Sequence, residues 1–264
     1  QTQPLTDWLV QRSEGNPFIL AELVRYAHEN NLFLPDGALN LAHLPDSPLV
    51  PPSVYSLIQA RLARLSEADW QVLNAAVAIG REFEFEVVAH TVALSDAAVL
   101  DSLDTLQALG LIQPVSGSLY RFDHHLTMEV AYQEISEPRH RLFHRRVAEA
   151  METVYGQHRL DSVAGLLAQH YAEGGVPERA AQYAFRAGQL AADLAAWSEA
   201  IAFFEQALAA SESLADPAQR QPILAALGQV CLHAGQFGRA AQVLRAALDQ
   251  AKMGQSQVNE GVLY

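Results

Sequence analysis

Residues 121–132, RFDHHLTMEVAY, separate two kinds of sequence. On the N-terminal side, Leu111 to Val115 and Leu119 to Phe122 flank a Ser116-Gly117-Ser118 turn, the pattern of two short strands in a hairpin. Helical patterns precede that hairpin. Val54, Leu57, Ile58, Leu62 and Leu65 recur at helical spacing, and Pro51-Pro52-Ser53 reads as a stop followed by an N-cap. Ser66 is placed to cap a second helix, Glu67 to Ile79, with Trp70, Val72, Leu73, Ala76 and Val77 inward. A short helix near Phe85–Thr91 and one from Asp96 to Ala108, capped by Ser95 and ended by Gly110, complete the run. Helices followed by a short β wing read as a winged helix over residues 51–137.

On the C-terminal side the chain becomes Ala-rich, and helix follows helix over residues 138–264. Two stretches match when aligned, AFRAGQLAADLAAWSEAIAFFEQAL and LAALGQVCLHAGQFGRAAQVLRAAL. Gly188 then pairs with Gly228, Ala200 with Ala240, Phe204 with Leu244 and Ala207 with Ala247, at an interval of 40 residues. That interval exceeds the ~34 of a tetratricopeptide repeat, although the internal offsets agree. Small residues at those offsets let paired helices approach closely, and Phe204 and Leu244 are expected to fill the gap to the next repeat. A degenerate leading unit is expected around Leu166–Tyr171, and Asp216-Pro217 separates the repeats. The fold class is mainly α: a helical segment, a winged helix with a short β wing, and a TPR-like α-solenoid.

Residues 1–50 form the first segment. Two helices broken at SEGNP are expected over residues 5–31, with Trp8, Leu9 and Val10 before the break. Phe18, Ile19, Leu20, Leu23, Val24 and Tyr26 recur at helical spacing after it. Gly15 and Asn16 suit a sharp reversal and Pro17 suits a first helical turn, so GNP reads as a helix–helix corner. Residues 32–52 form a proline-rich connector with turn chemistry at Asp36-Gly37.

Composition narrows the function classes. Half of the 264 residues are apolar and 18% are charged, as in a folded domain, and no apolar run approaches the roughly 18–20 residues that span a bilayer. A formal net charge of −13 opposes general attraction to nucleic acid or an anionic membrane. The single cysteine, Cys231, precludes an internal disulfide and fits a reducing cytoplasm. Lys252 is the only lysine and lies in ALDQAKMGQ, so no phosphate-cradling P-loop can be built. No catalytic constellation is present, and no enzyme activity is expected of these residues alone. A first residue other than Met suggests a piece of a longer protein.

Two further chemistries can be weighed from the residues. The candidate recognition helix carries Asp96, Asp101 and Asp104 without Lys or Arg, so DNA reading by it is not expected. Arg139, Arg141, Arg145 and Arg146 concentrate basic charge, which reads as a solvated helix face. His140 and His144 can share a helical face, but a metal site needs a third ligand, and adjacent His124 and His125 would supply one only through tertiary contact. No metal is expected.

Three local patterns stand in one order: SEGNPFILAELV (13–24), PPSVYSLIQARLARLS (51–66) with AAVAIGREFEF (75–85), and YRFDHHLTMEVAY (120–132) followed by RRVAEAMETVYG (145–156). Together they resemble the bacterial STAND signal-transduction ATPases, which include LuxR-type and antibiotic-regulator-type transcriptional regulators and some adenylyl cyclase-linked ATPases. The resemblance spans nearly the whole chain. It implies the portion from the helical lid onward, with the ATPase core upstream in cis. It also implies an ATP/ADP site in the full-length parent and no cofactor in these residues alone. Gly15-Asn16-Pro17 matches the family's lid motif, whose proline packs near the adenine. His124, in its Phe-x-His frame, matches the winged-helix histidine that approaches the nucleotide phosphates, while His125 stands where relatives often carry a small residue. Which of the two faces the nucleotide stays open, as does a purely structural role for His124. The resemblance further implies a cytoplasmic switch whose repeats receive a protein or small-molecule effector. A stand-alone peptide-binding scaffold, or the same segment in an adenylyl cyclase-linked ATPase, is the alternative.

Overall fold

Local capping sets the N-terminal helices. The computed structural model describes residues 9–10, 13–29, 52–212 and 220–261. The expected connector at 32–51, its turn at Asp36-Gly37, Trp8 and the Asp216-Pro217 break lie outside the described residues. The chain divides between Ser136 and Glu137 into two compact units. In the first, α1 spans Pro17–Glu29, α2 Pro52–Leu62 and α3 Glu67–Ile79. Ser66 accepts the Asp69 amide at its hydroxyl (3.3 Å), and the Asp69 carboxylate accepts the Ser66 amide (2.9 Å). This capping box satisfies two of the amides that a helix start leaves unpaired. Strand β1 (Glu82–Glu84) and α4 (Phe85–Thr91) follow, then α5 (Asp96–Ala108), whose N-cap Ser95 accepts the Ala98 amide at 3.3 Å.

Strands β2 (Ile112–Ser116) and β3 (Leu119–Phe122) form the hairpin, and α6 (His125–Gln133) leaves it. The sheet is antiparallel with order β1-β3-β2. β1 is an addition to the expected hairpin: Phe83 pairs with Tyr120 and Glu82 with Arg121, placing β3 in the centre. Pro114 therefore falls on an edge strand, where its missing N–H costs no ladder bond. Phe83 and Phe122 are fully buried, their ring centroids 5.7 Å apart, as are Leu73, Leu103, Leu106 and Leu126 of the same unit.

Two expectations for this unit are corrected. In α1 the inward stripe is Ile19, Leu23 and Ala27, while Phe18, Leu20 and Val24 are exposed. The four-residue interval selects one stripe of about 100° from a helix that is apolar nearly all round. Ser53 lies inside α2 rather than at its cap, because Pro52 already occupies the first helical position. Its hydroxyl donates instead to the Glu22 carboxylate of α1.

In the second unit, α7 (Glu137–Arg159) is interrupted at Gly156 and ends in a 3-10 turn over Leu160–Val163. Helices α8 (Ala164–Glu173), α9 (Pro177–Asp193), α10 (Trp197–Ser211), α11 (Arg220–His233) and α12 (Phe237–Gly261) then each pack on their predecessor. Ala168, Ala184, Ala200, Ala207 and Ala240 are fully buried at the seams. Helix α9 serves twice, packing on α8 before it and α10 after it.

A methyl group on Gly188 would stand 2.7 Å from the Phe204 ring, and one on Gly228 would stand 2.6 Å from Leu244. Phe204 and Leu244 therefore fill the seam inside their own helix pair, and Phe204 also reaches the next repeat, as expected from sequence, in one buried cluster with Ile223, Leu227 and Val230. Glycine is needed because the large side chain occupies the volume of its absent Cβ.

Gly188→Ala is expected to lower stability by about 1–3 kcal/mol through overpacking, less the ~1 kcal/mol that alanine gains in a helix. Adding Phe204→Leu should recover much of the loss. Urea midpoints of the three chains test this, and an unchanged midpoint for Gly188→Ala would count against the close approach.

Candidate functional site

Glu14 and Gly15 both take positive φ, 47° and 79°, which turns the chain sharply before α1. Asn16 then accepts the Phe18 and Ile19 amides at Oδ1 (3.0 and 3.3 Å), and Pro17 opens the helix. Turn and cap chemistry thus account for Gly15, Asn16 and Pro17 locally.

This turn meets the head of α6. His124 is 5% exposed and occupies the α6 N-cap, with its Nδ1 accepting the Leu126 amide at 3.1 Å. A neutral imidazole whose Nδ1 accepts must carry its proton on Nε2. That Nε2 lies 3.0 Å from the Ser13 carbonyl and donates to it. The Glu14 carboxylate lies beside both rings, 3.9 Å from His124 Nε2 and 3.3 Å from His125 Nδ1. Arg81, at the start of the sheet, completes the cluster with Nη1 2.6 Å from Glu14 Oε1. Gly15-Asn16-Pro17 and His124, distant in sequence, therefore share one locality. Arg81 and Glu14 are members that motif reading missed, since an Arg beside a wing and a Glu in a turn carry no signal of their own.

Glu14, His124 and His125 offer ligand atoms within 4.8 Å of one another, a spacing compatible with a three-ligand metal site. Hydrogen bonding opposes that use. The cap on Leu126 commits His124 Nδ1, so Nε2 keeps its proton and has no lone pair for an ion. The Arg81 guanidinium already neutralises Glu14. The cluster gathers two imidazoles and a guanidinium around a carboxylate, with Arg81 the close ion pair and the His124 N–H given to Ser13.

Elsewhere, His144 in α7 approaches His170 in α8, with Nδ1 atoms 3.0 Å apart. One ring must donate and the other accept. Burial holds His170 at about 4 and also lowers His144, with the neighbouring imidazole adding to the His170 shift. Glu152, Arg179 and Tyr183 link α7 to α9: Tyr183 donates to Glu152 at 2.6 Å, and Arg179 lies over the Tyr171 and Tyr183 rings. Burial pushes the Tyr171 hydroxyl up to about 12.

Cavities open among the described repeat helices. One, of about 570 Å³, is lined by Asp161, Arg186, Gln189, Gln229 and His233, with Trp197 stacked on His233 at 5.1 Å. Another, of about 680 Å³, presents Leu166, Leu190, Leu194 and Phe203. Leu194 is 82% exposed. Asp96, Asp101 and Asp104 are exposed on α5, and Arg139, Arg141, Arg145 and Arg146 are exposed on α7, where Arg141 pairs with Glu137 at 3.2 Å. No described helix is long and apolar enough to cross a membrane.

Fold and sites define a mainly α protein with a small antiparallel sheet and TPR-like helical repeats. No protein-family model matches the chain, and no curated protein matches it. Among solved structures it is similar to a signal transduction ATPase with numerous domains (STAND) protein with a tetratricopeptide repeat sensor from Pyrococcus horikoshii. The identity is 15% and the TM-score 0.25, over 94% of this chain and 50% of that one. A TM-score of that size assigns no function, and the chain spans about half the length of that structure.

Two measurements follow from these geometries. Because His170 has a lower pKa folded than unfolded, the unfolded chain binds more protons between pH 6.5 and about 4. Stability is then full above pH 6.5 and falls as pH drops, by about 2 kcal/mol between pH 7 and 5. Hydrogen exchange of the α8 amides, corrected for intrinsic rates, should show this loss, and His170→Leu should flatten it. In the first unit, His124→Ala removes two buried hydrogen bonds and should cost about 2–3 kcal/mol, whereas His124→Asn keeps the cap and should cost about 1 kcal/mol. Thermal unfolding distinguishes the pair; equal losses would deny the capping role.

Proposed function

We propose that this chain is a non-enzymatic regulatory and protein-interaction segment of a STAND-type ATPase, most simply of a transcriptional regulator. The helix–sheet unit is read as a winged helix that works as a nucleotide-dependent switch, and the repeats as the effector surface. The observation that carries this reading is the fixed tautomer of His124. Its Nδ1 is committed to the Leu126 amide, so its Nε2–H can only donate, and it is aimed at an oxygen of the SEGNP turn. In this reading His124 donates that same N–H to a phosphate oxygen when nucleotide is held, releasing the Ser13 carbonyl. A neutral donor at a helix N-terminus is suited to phosphate, which the helix dipole also favours. The nucleotide supplies the negative charge that the donors hold, and the chain performs no bond-breaking step. Gly15, Asn16 and Pro17 shape the turn that His124 holds in the absence of phosphate.

Two states of close free energy follow, one with His124 on the turn and one with His124 on nucleotide. An effector on the repeats shifts that balance only through different affinities for the two states. The mixed polar and apolar linings of these repeat cavities suit a protein or small-molecule effector. The exposed carboxylates of α5 support a switch role over DNA reading. The setting is read as cytoplasmic.

The test uses the full-length protein, including residues upstream of Gln1. It should purify with ADP, and His124→Asn, which keeps the α6 cap, should release ADP at least tenfold faster. Release at the wild-type rate, or a full-length protein without a nucleotide site, would sink the reading.

A further inference from the structure

Four groups from three segments converge on a single point. Arg81 Nη1 lies 2.6 Å, His125 Nδ1 3.3 Å and His124 Nε2 3.9 Å from the carboxylate oxygens of Glu14. Two of these donors stand at the N-terminus of α6, a nine-residue helix whose positive end adds to the attraction. The acceptor is an ordinary glutamate held at φ 47°, a region that non-glycine residues occupy at a cost of order 1 kcal/mol. Its side chain is 20% exposed, although a surface carboxylate in a turn has free access to water. The backbone thus accepts strain at the position that directs an anion into these donors.

We infer that Arg81, His124 and His125 form one anion-accepting site for a phosphoryl group, and that the Glu14 carboxylate fills it as an internal competitor. The inference rests on the switch reading above and deepens it. It adds Arg81 and His125 as phosphate contacts and makes Glu14 the element that sets affinity. A carboxylate presents two oxygens and one negative charge, whereas a phosphoryl group presents three oxygens and nearly two charges. The same donors therefore accept either, and the phosphoryl group satisfies more of them. Displacing Glu14 also loosens the turn, because Glu14 is adjacent to Ser13, whose carbonyl His124 holds, and a phosphoryl oxygen would compete for that same N–H. Binding at this site and opening of the SEGNP turn become one event.

The test needs only the 264-residue chain and inorganic pyrophosphate, titrated by calorimetry at low ionic strength. Wild type should bind weakly. Glu14→Gln should tighten binding at least tenfold, and Glu14→Gly, which suits the positive φ, should do the same. Adding Arg81→Gln to either should return the affinity to the wild-type level or below. Glu137→Gln, which removes an exposed carboxylate from α7, controls for net charge and should change binding less than twofold. Unchanged or weaker binding in both Glu14 variants would overturn the inference, as would an equal gain from Glu137→Gln. Loss of ADP retention in the full-length protein with a normal Glu14→Gln response would reject the ATPase reading and leave this site standing.

Discussion

The hydrogen bond from the Leu126 amide to His124 Nδ1 constrains everything that happens at the N-terminal unit's polar cluster. It is an ordinary helix cap, yet its acceptor is a ring with a second nitrogen. Fixing one nitrogen as acceptor fixes the other as donor, and burial keeps water from satisfying that donor. His124 Nε2–H must therefore find an oxygen, and the Ser13 carbonyl is the one it meets. The SEGNP turn is held to the helix–sheet unit by this requirement. A cap that used Ser or Asn would begin α6 equally well but leave the turn without that tie.

The repeats depend on a different constraint, which is volume. Alanine and glycine at the seams bring helix axes together, and one large residue per pair then fills what remains. Phe204 against Gly188 and Leu244 against Gly228 are the same device used twice. The polar side chains are left for the outer faces and cavities, where Arg186, Gln189 and His233 stand. The close-packed seams and the polar outer faces thus come from one pattern.

Much of this architecture is legible in the amino-acid order. Caps at Ser66 and Ser95 act over three residues, so the signal and its partner lie in one short window. The matched glycines of the repeats are legible because repetition displays the spacing twice. Strand β1 is not, since Glu82-Phe83-Glu84 is three residues long and is defined only by pairing with Tyr120 and its neighbours. The inward face of α1 is ambiguous for a related reason: Phe18, Leu20 and Val24 are as apolar as Ile19 and Leu23, and only the packing chooses. At the polar cluster, His124 is legible through its motif. Glu14 and Arg81 come together across 67 residues of chain, and no local rule connects a turn glutamate to an arginine beside a strand.

The double service of α9 bears on how the second unit comes apart. A solenoid of separable pairs can lose a terminal pair and keep the rest, each break confined to one seam. Here α9 is the inner wall of one pair and the outer wall of the next, so no cut between α8 and α10 leaves both sides with a finished surface. Opening either seam therefore exposes buried alanine surface on α9 and weakens the helix on its other side.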